Sequence, residues 1–121
     1  MKAVRNLALA LAGLMAVGTA SAVWAQPIGG ALFRVTSAAP LSTDTFQATF
    51  YGGQLATVTV SGSGYTNLDL YVYDEFGNLV AADTNLTDQC IVTWVPRWTG
   101  PFTIQVVNHG YVSNFYTITA S

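Results

Sequence analysis

From Thr45 to the C-terminus, apolar and polar residues alternate one for one in short runs separated by turn-forming residues. Phe46, Ala48 and Phe50 fall in one phase, with Gln47 and Thr49 in the other. Ala56, Val58 and Val60 alternate with Thr57, Thr59 and Ser61, and Leu68, Leu70 and Val72 with Asp69, Tyr71 and Tyr73. Cys90, Val92 and Trp94 share a phase against Ile91, Thr93 and Val95; Phe102, Ile104 and Val106 against Thr103, Gln105 and Val107; Tyr116, Ile118 and Ala120 close the chain. A period of two sends successive side chains to opposite faces of a strand, so each run has one face to bury and one to leave wet. The breaks are Tyr51–Gln54, Ser61–Gly64, Asp74–Asn78, Pro96–Pro101 and Asn108–Gly110. No stretch of about ten residues lacks Gly, Pro and β-branched clusters, which a stable helix needs. Strands recurring every ~8–12 residues predict an antiparallel β-sandwich of about seven to eight strands. The paired prolines of Pro96–Pro101 exclude a central strand there.

The first 25 residues obey different rules. Lys2 and Arg5 precede an apolar run, Leu7–Val17, and small residues follow it. That order is a secretory signal peptide, with cleavage after Ala22 or, preferred here, after Ala25. The run is shorter than the ~20 residues that span a bilayer. Residues 26–44, with Gly29-Gly30 and Pro40, read as a lead-in or linker holding at most a short edge strand, and 45–121 as the sandwich. The chain is expected to be secreted, periplasmic or held in the cell envelope, with no transmembrane segment after cleavage.

Composition narrows the function classes. Charged residues are 8% of the 121, against roughly 25% in an ordinary soluble domain. Beyond the leader only two cations remain, Arg34 and Arg97, against all six acids, a net charge of −4. Two arginines cannot make the basic stripe that nucleic acid requires. One Cys and one His cannot build a disulfide framework or a zinc cluster. No Gly-x-Ser-x-Gly elbow accompanies His109, which sits in an Asn-His-Gly turn and reads as a turn residue; the chain is expected not to be an enzyme. Cys90, in phase with Val92 and Trp94, reads as a small buried hydrophobe, with pairing between chains as the alternative.

The run Leu68-Asp69-Leu70-Tyr71-Val72-Tyr73-Asp74, then Gly77-Asn78-Leu79-Val80-Ala81, Trp94-Val95-Pro96 with Thr99-Gly100, Phe102-Thr103-Ile104-Gln105-Val106 and Tyr116-Thr117-Ile118 together resemble the bacterial pre-peptidase C-terminal domain family. The resemblance spans Phe46–Thr119. It implies a jelly-roll-like β-sandwich, a non-catalytic module of exported proteins, with collagen-binding and some calcium-binding relatives. Asn67 stands where that family often has an Asp, and the module is expected to stand alone behind the leader.

Several side chains are candidates for function. Tyr71 and Tyr73 alternate away from the core and form the principal candidate binding surface, with Trp98 as a further exposed aromatic. Asp74, Asp83 and Asp88 lie within fifteen residues of one another; calcium wants six to eight oxygens at ~2.4 Å, and these three are its candidate ligands, no EF-hand spacing being present. The competing reading makes them turn formers. Asp69 is expected to be structural, accepting hydrogen bonds from backbone N–H groups of a neighbouring loop. Gly77 and Gly100 are the structural glycines. The expected function is weak recognition of an extracellular or envelope protein or polysaccharide. The alternative is an assembly subunit pairing through strand edges; a hydrolase is the remote one.

Overall fold

The computed structural model of the chain describes residues 32–121 and, ahead of them, only the extended backbone of three short segments, Leu7–Ala8, Met15–Val17 and Ala20–Trp24. The expected leader and its cleavage positions otherwise lie outside the described residues. From Leu32 onward there are eight strands and no helix: β1 Leu32–Ala38, β2 Thr43–Phe50, β3 Ala56–Gly62, β4 Leu68–Tyr73, β5 Leu79–Asp83, β6 Gln89–Trp94, β7 Gly100–Asn108 and β8 Asn114–Ala120. They form two sheets, in the orders β2-β7-β4-β5 and β1-β8-β3-β6, every pair antiparallel. The chain crosses between sheets at every connection except β4–β5, its one hairpin within a sheet. That is the strand order of a jelly roll.

The alternation in the sequence is the alternation in the fold. Phe46, Ala48 and Phe50 from β2, Leu68, Leu70 and Val72 from β4, and Phe102, Ile104 and Val106 from β7 point at Ala56, Val58 and Val60 from β3 and Tyr116, Ile118 and Ala120 from β8, all buried. One end is aromatic: Phe50 meets Trp94 edge-on at 4.9 Å and Phe102 at 5.7 Å. Such pairs add about 0.5–1.5 kcal/mol beyond their buried area. The other end is polar. Asn108 donates to the carbonyls of Ala38, Ala39 and Val112 and accepts from the Gly110 N–H. Buried Asp44 accepts from the Tyr116 hydroxyl at 2.6 Å. Cys90 is buried as expected, its thiol 3.2 Å from the Leu68 carbonyl and pushed up to about 12 by burial.

Two expectations are corrected. The lead-in is structured: Leu32–Ala38 is a seven-residue strand paired with β8 along its whole length, from Leu32↔Ala120 to Ala38↔Asn114. Its signal was weak because only its ends, Leu32 and Ala38, are buried, whereas Phe33 and Val35 face solvent. Pro101 lies inside β7, which is a central strand. The proline is tolerated because β4 ends at Tyr73, opposite Thr103, so at Pro101 β7 has a neighbour on only one side, Thr49 of β2.

Gly77 has the expected positive φ, 84°, in the β4–β5 loop. Gly100 opens β7 rather than ending a turn. A Cβ there would stand 2.5 Å from Glu75 Oε1, the far end of an exposed side chain that would have to swing aside.

Candidate functional site

The outer face of the β2-β7-β4-β5 sheet is built by register. Tyr73 stands opposite Thr103, which stands opposite Gln47; Tyr71 stands opposite Gln105, which stands opposite Thr45. Rings two residues apart on one strand share a face, and the tyrosines stack, with centroids 6.4 Å apart and planes 24° from parallel. Both are half-buried. Beside them Gln47, Tyr73, Asp74, Glu75, Thr103 and Gln105 line a cleft of about 480 Å³.

Asp69 anchors this face from below. It is 6% exposed although it points to the outer side of its sheet. Its Oδ2 lies 2.8 Å from His109 Nε2 and accepts the Tyr71 hydroxyl at 3.3 Å. Burial raises the Tyr71 phenol above its ordinary value, and the charge and hydrogen bond of Asp69 raise it further. The partners differ from those expected: an imidazole and a phenol meet Oδ2, not a loop's N–H groups. The reason is that β7 runs on to Asn108 opposite Leu68, which carries His109 alongside Asp69.

Trp98 stands on the flank of the β4–β5 loop, 45% exposed. Its indole N–H donates to Glu75 Oε1 at 3.3 Å and its ring meets Phe76 at 5.9 Å. With Val80, Trp94, Val95, Pro96 and Phe102 it lines a smaller, more apolar cleft of about 260 Å³, which shares Asp74 with the larger one. Glu75 thus links Tyr73, with which it lines the larger cleft, to Trp98, whose indole N–H it accepts, while Tyr71 reaches this end only through its stack on Tyr73.

The three acids expected as calcium ligands are not gathered. Asp74 closes the hairpin: its Oδ1 accepts the N–H groups of Phe76 and Asn78, and its Oδ2 the Asn78 side chain. The Asn78 N–H is the chief cause that lowers its carboxyl below the ordinary range. Asp83 accepts from the Ile91 N–H, which lowers it most, and from Asn85. Asp88 is buried, which pushes it up, but the donors Asn114, Gly64 N–H and Gln89 outweigh burial and lower it overall. Each carboxylate holds a different corner with N–H donors, the turn-forming reading of these residues. Among the described residues no three of His, Cys, Asp and Glu come together as metal ligands would.

Sequence reasoning missed Phe76, Gln47, Gln105 and the His109–Asp69 pair. Phe76 lies in a turn, outside any periodic run. The glutamines occupy ordinary outward positions, and only strand order places them next to Tyr73. Stacking area, amide and hydroxyl hydrogen bonding and negative charge are what this face offers a ligand.

No protein-family model matches the sequence, and no curated protein is detectably similar to it. Solved structures do share its fold. A periplasmic inhibitor of g-type lysozyme from Aeromonas hydrophila, PliG, superposes with a TM-score of 0.57 at 14% identity, over 75% of this chain and 84% of that one. The pre-peptidase C-terminal domain of a Bacillus anthracis collagenase superposes with a TM-score of 0.55 at 11% identity, over 74% and 90%. At these identities the likeness is one of β-sandwich architecture.

Proposed function

We propose that this chain is an exported, non-catalytic recognition module that binds an extracellular or envelope protein or polymer through the outer face of the β2-β7-β4-β5 sheet. The observation that carries the reading is the stacked Tyr71–Tyr73 pair at the lip of the 480 Å³ cleft. Tyrosine supplies a large, stiff contact surface with a hydrogen-bonding tip, the property that makes it an interface anchor. The pair is preorganised by packing on itself and by the Tyr71–Asp69 bond, so little side-chain freedom is lost on binding. Glu75 and Asp74 add negative charge, and Gln47, Thr103 and Gln105 add donors and acceptors that fix orientation. The fold neighbour named as a lysozyme inhibitor supports the reading, because the same scaffold there serves a periplasmic protein that acts on another protein.

The test uses purified probes. Titration of the protein with g-type lysozyme and with peptidoglycan, followed by tryptophan fluorescence of Trp98, is expected to show saturable binding to one of them. Tyr71→Ala/Tyr73→Ala is expected to weaken it at least tenfold with an unchanged circular dichroism spectrum. Equal binding by the wild type and the double variant contradicts the reading.

A further inference from the structure

Four strands end the two sheets, and an edge strand offers a row of unpaired N–H and C=O groups to any passing chain. Two of the four edges, β5 and β6, are blunted by the domain itself. β5 is five residues long, and its pairing with β4 slips between Val72 and Tyr73. β6 has its Ile91 N–H taken by Asp83 Oδ2 at 3.0 Å and its Gln89 carbonyl taken by the Asn85 side chain at 2.9 Å. β2 has the backbone of Ala20–Trp24 alongside it, in parallel register from Ala22↔Thr45, but that segment leaves with the expected leader, and the outward residues Thr45, Gln47 and Thr49 are then polar and not apolar. Among the described residues β1 has neither a break in its pairing nor a side chain capping its edge, and its only guard is one inward-phase charge, Arg34 opposite Ile118. It is seven residues long, pairs with β8 without a break, and has no Pro, no Lys and a single charge, Arg34. Its outward side chains Phe33 and Val35 are 68% and 61% exposed, and Phe115, next to them on β8, is 62% exposed.

We propose that a second copy of this chain pairs with β1, antiparallel about a two-fold axis at Val35, so that two β1-β8-β3-β6 sheets become one continuous sheet. The occupant follows from the strand itself. Val35 is its middle residue, so this axis pairs all seven positions: Leu32 opposite Ala38, Phe33 opposite Ser37, Arg34 opposite Thr36. The one cation of the strand therefore stands directly opposite a neutral residue and meets its own copy only on the diagonal, roughly 7–8 Å away. On the outer face, Ser37 stands opposite Phe115 within each copy. Across the seam the small Ser37 then lies between Phe115 of its own chain and Phe33 of the second copy, leaving room for both rings.

Charge points the same way. The outward positions of β1, β8, β3 and β6 (Phe33, Val35 and Ser37; Phe115, Thr117 and Thr119; Thr57, Thr59 and Ser61; Gln89, Ile91 and Thr93) include no ionisable group. The acids lie elsewhere, so this is the side on which two copies of an acidic chain approach without repulsion. The seam is small for a specific interface, so association in roughly the micromolar range is expected.

A disulfide reads out the register. Cα atoms directly opposed in an antiparallel pair are about 4.5–5.5 Å apart, within disulfide reach. Val35→Cys is expected to cross-link to a dimer on mild oxidation, and Phe33→Cys alone is not, whereas Phe33→Cys mixed with Ser37→Cys is. Because residue 35 is exposed, Val35→Lys is expected to fold normally and to sediment as a monomer at concentrations where the wild type is a dimer. A wild type that stays monomeric through the micromolar range overturns the proposal. So does cross-linking of Gln47→Cys in place of Val35→Cys, which would put the seam on β2.

Discussion

Asp69 and Asp88 are each 6% exposed, yet their surroundings differ in kind. Asp88 is held by the Gly64 N–H and by the side-chain amides of Asn114 and Gln89. Asn114 in turn donates to Thr66 and accepts from Ser63, so the cluster ties the 62–66 loop to the start of β8. Asp69 is held by His109, whose side chain is 47% exposed, and by a half-buried tyrosine that forms part of the candidate surface. One carboxylate ties a loop to a strand; the other positions side chains of the proposed recognition surface. The two acids are equally buried; what separates them is the exposure of their partners, 47% for His109 against 0% for Asn114.

The largest effect is expected at Asp88. Asp88→Ala removes one acceptor of the buried Asn114 amide and the acceptor of the Gly64 N–H, and loosens the cluster that ties the 62–66 loop to β8; a lost hydrogen bond in a buried cluster costs roughly 1–3 kcal/mol. Urea unfolding is expected to show a loss of about 3 kcal/mol, with ligand binding by the folded fraction unchanged. Asp69→Ala is expected to show the reverse. Its donors can turn to water, so stability falls by about 1 kcal/mol, while ligand affinity falls because the Tyr71 ring loses its anchor. Equal stability losses from the two variants would erase the distinction.

A second difference is in pH. The folded-state pKa values of Asp74, Asp83 and Asp88 are all lowered. A lowered carboxylate contributes stability above its unfolded value, about 4, and loses it as pH falls through the folded value. The melting temperature is thus expected to hold from neutral pH to about pH 4 and to fall below that. Asp88→Asn is expected to flatten the fall; an acid limb as steep as the wild type's would remove Asp88 from that role. Smaller again is Tyr71→Phe, which removes the 3.3 Å bond to Asp69 and keeps the ring stack. It is expected to change stability by under about 0.5 kcal/mol and to weaken binding only a few-fold. Smallest is the Cys90 thiol, which at a pKa of about 12 is expected not to react with a thiol reagent until the protein unfolds.

The sandwich was legible because the alternation from Phe46 to Ala120 has one solution in which every apolar row is covered. β1 was not, since an edge strand with exposed Phe33 and Val35 lacks that alternation. Tyr71 and Tyr73 could be placed on an outward face from phase alone. Their cleft could not, because Gln47, Thr103 and Gln105 join Tyr73 only once β7 is known to lie between β2 and β4. The use of each acid was also hidden. Asp69 and His109 are forty residues apart in sequence, and Asp88 meets its main partner, Asn114, across twenty-six.

The two outer faces provide the most direct test of the proposed recognition surface. Immobilised wild type, Tyr71→Ala/Tyr73→Ala and Phe33→Ser/Phe115→Ser proteins would be compared for what each retains from the same envelope and culture-fluid extract. The tyrosine variant is expected to lose the component that the wild type retains, and the phenylalanine variant to keep it. Loss in the phenylalanine variant with retention in the tyrosine variant would contradict the account and move recognition to the uncharged sheet.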